Sequence, residues 1–67
     1  MKSVIKIANM RTLADVSNIR EAISNIQGVI ACQICKDKQE LNVVYDSYFL
    51  NEERILQILE DLGYTPI

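Results

Sequence analysis

The sequence predicts a single α+β domain in which a four-stranded antiparallel sheet carries two helices on one face, and three observations lead there. Apolar residues recur at every second position in some stretches and at every third or fourth in others, and the two periods alternate along the chain. A length of 67 residues leaves room for one domain, residues 1–67, with one modest core, and no linker or low-complexity tract interrupts it. Apolar residues outnumber charged ones, 49% against 24%, and Gly and Pro are few, so burial can offset the entropy of folding.

The first element is a strand over Ser3–Ala8, with Ile5 and Ile7 on one side and Val4, Lys6 and Ala8 on the other. From Leu13 the period lengthens: Leu13, Val16, Ile19, Ile23 and Ile26 make one apolar helical face, while Asp15, Asn18 and Glu21 point elsewhere. Thr12 and, three residues on, Asp15 form a capping-box pattern at its start. Gly28 supplies a stop able to take a left-handed conformation.

Val29–Cys35 reads as the second strand, Lys36–Glu40 as a polar turn and Leu41–Tyr45 as the third strand, together a hairpin. Asn51 caps a second helix, with Glu52 and Glu53 at its positive end and Ile55, Ile58, Leu59 and Leu62 as its buried stripe. Gly63 ends it, and Tyr64–Ile67 is long enough for a short last strand in which Pro66 favours an edge. Two βαβ units joined by right-handed crossovers put both helices on one face, a ferredoxin-like βαββαβ sandwich.

Composition narrows the function. The formal charge of −2 comes from interspersed acids, and the seven basic residues form no stripe, which points away from nucleic acid. No apolar run approaches the roughly 20 residues of a membrane span, and Met1-Lys2-Ser3 opens no cleavage-site pattern, so the expectation is a soluble cytoplasmic protein with free thiols and no membrane insertion. The chain has no His, and no paired-carboxylate cleft, phosphate-binding glycine loop or serine triad can be assembled, so the expectation is no enzyme. The acidic set Glu52, Glu53, Glu60 and Asp61 reads as the solvated side of the second helix, and Tyr45 and Tyr48 carry no distinctive signal.

The stretches Ile5-Lys6-Ile7-Ala8-Asn9-Met10, Gly28-Val29, Val43-Val44-Tyr45-Asp46 and Leu62-Gly63-Tyr64, in this order around two helices, resemble the heavy-metal-associated domain family of copper-chaperone type over essentially the whole chain. The family's loop reads Gly-Met-x-Cys-x-x-Cys. Here those positions hold Asn9, Met10, Arg11, Thr12, Leu13, Ala14 and Asp15, so both thiolates are replaced. Cuprous ion prefers soft ligands, and a hydroxyl with a hard carboxylate does not supply them.

The resemblance implies copper or another heavy metal as cargo, a metal transporter or related domain as partner, and a docking loop made of Met10, Arg11, Thr12, Leu13 and Asp15 with Tyr64 beside it. From the residues alone, Met10 reads as core filler, Thr12 and Asp15 as a helix cap, Arg11 as a solvated charge and Tyr64 as rim packing. Cys32-Gln33-Ile34-Cys35 matches a chelating spacing, but on a strand residues three apart face opposite ways, which puts Cys32 with Ile34 under the helices and Cys35 on the open face.

Three readings stay open. The first is a docking or regulatory module of metal-trafficking descent. The second is a carrier using Met10, Asp15 and a thiol such as Cys35. The third is an oligomerisation or small-molecule-sensing module that uses the open face around Val4, Gln33, Cys35, Asn42 and Val44, for which a homodimer is expected.

Overall fold

The computed structural model describes residues 1–67, and five elements follow one another in the expected order: β1 (Lys2–Lys6), α1 (Leu13–Ser24), β2 (Val29–Cys35), β3 (Glu40–Tyr45) and α2 (Glu52–Asp61). The sheet is antiparallel with order β1-β3-β2. Its register sets Ser3 and Cys32 on either side of Val43, and Ile5 and Ile34 on either side of Leu41. Because alternate residues share a face, these six lie beneath the helices, while Lys2, Val4, Gln33, Cys35, Asn42 and Val44 make the open face.

The sheet has three strands rather than the four expected. The segment after α2 touches β1's continuation through a single antiparallel bridge, Ile7 to Pro66, flanked by bonds from the Ala8 N–H to Thr65 O (2.9 Å) and from the Ile67 N–H to Lys6 O (2.8 Å). Pro66 has no N–H to donate, so so short a segment cannot extend the ladder into a full strand.

The core contains Ile5, Ile7, Leu41, Val43 and Tyr45 from the sheet side, Ile19 and Ile23 from α1, Ile55 and Leu59 from α2, and two loop residues, Met10 and Leu50. The Ser3 hydroxyl is buried among them and is satisfied by the Tyr45 hydroxyl at 3.0 Å. Leu13 departs from the expected stripe: it is the first residue of α1 and is 75% exposed. Leu62, at the cap of α2, is likewise exposed.

Helix α1 also stops earlier than its apolar period, at Ser24 with Asn25 as cap, and Ile26 packs on the core from the following turn. Gly28 has φ 101°, and a Cβ there would sit 3.0 Å from the Phe49 Cβ and 3.3 Å from the Leu50 Cβ, so both conformation and space call for glycine.

Candidate functional site

The loop from β1 to α1 is held from four directions. Met10 is wholly buried and anchors it to the core. Thr12 is extended (φ −118°, ψ 165°), as an N-cap must be, and its hydroxyl accepts from the Asp15 N–H at 3.1 Å. In return one Asp15 carboxylate oxygen, Oδ2, accepts from the Thr12 N–H at 3.1 Å and the Arg11 N–H at 3.0 Å. This completes the capping box the sequence pattern predicts.

The second Asp15 oxygen, Oδ1, accepts from the Tyr64 hydroxyl at 2.8 Å. Three donors thus converge on one carboxylate. The Arg11 N–H, then the Tyr64 hydroxyl and the Thr12 N–H favour its charged form and hold its pKa down from 3.8 to about 2. Tyr64 responds in the opposite sense: partial burial, then its bond to the negative Asp15, push its pKa above the ordinary 10.0.

Two amides complete the frame. Asn9 donates through Nδ2 to Gly63 O (3.0 Å) and accepts through Oδ1 from the Thr65 N–H (2.9 Å), so it clasps the chain after α2. Gln39, in the β2–β3 turn, donates through Nε2 to Ala8 O (3.0 Å) and Met10 O (3.2 Å), and its own carbonyl accepts from the Ile7 N–H at 2.8 Å. Gln39 takes φ 53°, a left-handed conformation that costs a side-chain-bearing residue energy, and the bonds it makes to the loop offset that cost.

The structure therefore brings Met10, Thr12, Asp15 and Tyr64 together, with Arg11 and Leu13 exposed on the outer side of the same turn. Tyr64 packs on the core cluster that contains Met10, as expected, but its bond to Asp15 is not readable from the spacing. The contributions of Asn9 and Gln39 are also missed by sequence reasoning. Asn9 stands at a family glycine position, which marks it as a departure, whereas nothing in Lys36-Asp37-Lys38-Gln39 distinguishes Gln39 from any polar turn residue.

Cys35 lies apart from this frame, opposite Glu40 on the open face. Cys32, on the helix side, has its sulfur 3.7 Å from the Ser24 hydroxyl. The two free thiols face opposite sides of β2, as the alternation predicts. No three or more His, Cys, Asp or Glu side chains gather closely enough to hold a metal ion, and no helix is long and apolar enough to cross a membrane.

The fold, an antiparallel sheet with two helices, is the one found in solved metallochaperones and copper-binding domains, to which this chain is similar. No family profile and no characterised protein matches the sequence itself. Solved structures do match. A CsoZ metallochaperone is 28% identical with a TM-score of 0.91, over 100% of this chain and 96% of that one. A CopZ metallochaperone has a TM-score of 0.95 at 21% identity over 100% of both chains. A domain of the yeast copper transporter, solved in apo and Cu(I)-loaded states, has a TM-score of 0.90 at 25% identity, over 97% of this chain and 89% of that one. These three structural neighbours are thus two metallochaperones and one copper transporter domain.

Proposed function

We propose that this chain is a non-catalytic, cytoplasmic docking or regulatory module of metal-trafficking descent, which meets a metal transporter or a related domain through Arg11, Thr12 and Leu13 and carries no cuprous ion at the family's position. The observation that supports it is the state of Asp15. The residue standing at the second thiolate position has both oxygens occupied by Arg11, Thr12 and Tyr64, and its partner position is the Thr12 cap. A metal bound there would have to break the helix cap and displace the Tyr64 hydroxyl, and would gain only hard oxygen ligands. The buried Met10 thioether offers it no accessible sulfur.

The test is an anaerobic copper(I) titration of the reduced chain against a competing chelator. The native chain is expected not to compete, and a Thr12→Cys, Asp15→Cys double variant is expected to bind tightly at one ion per chain. Stoichiometric binding by the native chain would overturn the reading, and its loss in Cys35→Ser would transfer the site to the carrier reading. Docking is tested separately by titrating the native chain with the metal-binding domain of a copper-transporting P-type ATPase. Amide shifts confined to residues 11–15 and 64, unchanged by chelator, are the expected result.

A further inference from the structure

The two edges of the sheet are finished differently. Along β1 the chain after α2 lies alongside, through the Ile7–Pro66 bridge, and Pro66 presents no N–H to anything beyond. Along β2 nothing lies alongside. Outside its ladder to β3, the strand's only backbone bond is from the Val29 N–H to Ile26 O, at 3.2 Å, so alternate N–H and C=O groups from Ile30 to Cys35 have no partner in the chain.

Exposed edges are usually guarded by charge, proline or a bulge. Val29-Ile30-Ala31-Cys32-Gln33-Ile34-Cys35 has no charge and no proline. Its bulge is confined to Ile30, which is 70% exposed, and Ala31 to Cys35 run in unbroken register with β3.

We propose that β2 pairs antiparallel with β2 of a second copy about a two-fold axis, joining two three-stranded sheets into one. The unpaired backbone groups specify an extended strand as the occupant, and an antiparallel strand related by a two-fold axis is its own complement. Charge favours a copy over a charged partner segment. An uncharged strand meets no like charge in itself and offers no counter-charge to another sequence. Helix α1, which packs on β2, would be brought beside its equivalent.

A seven-residue strand pair buries less than the roughly 800 Å² per partner of a standard interface, so the dimer is weak and concentration-dependent. Because the order is β1-β3-β2, pairing occupies the edge opposite β1 and leaves the loop after β1 free. The inference goes beyond the docking reading and does not depend on it.

Sedimentation equilibrium under reductant tests it, with the native chain, Gln33→Lys on the β2 open face and Val4→Lys on the open face of β1. The native mass is expected to rise from 7.6 kDa toward twice that value between about 10 μM and about 1 mM. Gln33→Lys is expected to weaken association at least about tenfold and Val4→Lys to leave it unchanged. Amide exchange of β2 is expected to slow as concentration rises. A mass that stays at 7.6 kDa overturns the proposal, as does a Gln33→Lys variant that associates like the native chain. Equal weakening by both lysines would indicate stacking of open faces, and growth past a dimer would indicate an open-ended contact; either also overturns it.

Discussion

The chain turns from strand to helix twice, from β1 into α1 over residues 7–12 and from β3 into α2 over residues 46–51, and the two loops have the same length and similar parts. Each holds one buried apolar anchor, Met10 or Leu50, and each ends on a polar N-cap, Thr12 or Asn51. Beyond that they diverge. The first loop receives side-chain bonds with partners up to 56 residues away, through Asn9, Asp15 and Gln39. In the second the side-chain bonds are local, Asp46 to Tyr48 and Asn51 to Arg54, its distant tie being a backbone bond from the Asp46 N–H to Gly28 O, and Tyr48 and Phe49 are left exposed against each other, edge to face at 5.2 Å. Loop length and cap chemistry are therefore insufficient to fix a loop's shape. The side chains that reach it from elsewhere make the difference.

The comparison can be broken most forcefully by setting the anchor of the first loop against an exposed ring of the second. Met10→Ala removes a wholly buried side chain and is expected to cost about 2–5 kcal/mol in urea unfolding. Tyr48→Ala in the other loop should stay within about 0.5 kcal/mol, because its side chain is exposed. If the two substitutions cost the same, the contrast fails.

A smaller effect sharpens it. Thr12→Ala and Asn51→Ala each remove one cap and should cost about 0.5–2 kcal/mol, but Thr12 should be the worse loss. Only α1 has the reciprocal half of the box, since the third helical residue of α2 is Arg54, which cannot return an acceptor. Equal losses by thermal unfolding would mean that Asp15 holds the turn without Thr12.

The smallest expected effect is in acid. Between pH 3.8 and about 2 the unfolded chain binds a proton at Asp15 that the folded chain does not, so stability contributed by this group is complete above the interval and is lost as pH falls through about 2. Asp15→Asn should flatten that part of the stability profile. Tyr64→Phe should move the Asp15 midpoint upward toward 3.8 in a carboxyl NMR titration, because one of its donors is gone. An unmoved midpoint would show that the Tyr64 bond does not form in solution. At the alkaline end the sign reverses: the Tyr64 contribution is present below pH 10.0 and is lost as pH rises through its elevated value.

Much of this architecture is legible in the sequence because periodicity reports burial directly. Ile5 and Ile7, Ile19 and Ile23, and Ile55 and Leu59 are all buried where the two periods place them. The opposite placement of Cys32 and Cys35 follows from the same alternation. The errors fall where the rule meets an end. Leu13 fits the period of α1 but, at the first helical residue, stays exposed, and Tyr64–Ile67 has strand-like composition without the length or the donor to build a ladder. In the loop, the capping box is local and therefore readable. Gln39 and Tyr64 act across 29 and 49 residues, and such partners become visible only once the fold brings them close.

The clasp of Asn9 on Gly63 and Thr65, and of Asp15 on Tyr64, also orders events in time. During synthesis the β1–α1 loop emerges early, yet three of the bonds that shape it wait for residues 63 to 65. The hairpin and both helices can be complete while this loop is still unfinished. A nascent or nicked chain lacking those residues would keep most of its core and present an unset loop, so any partner that reads the loop's shape would thereby also read whether residues 63 to 65 were in place.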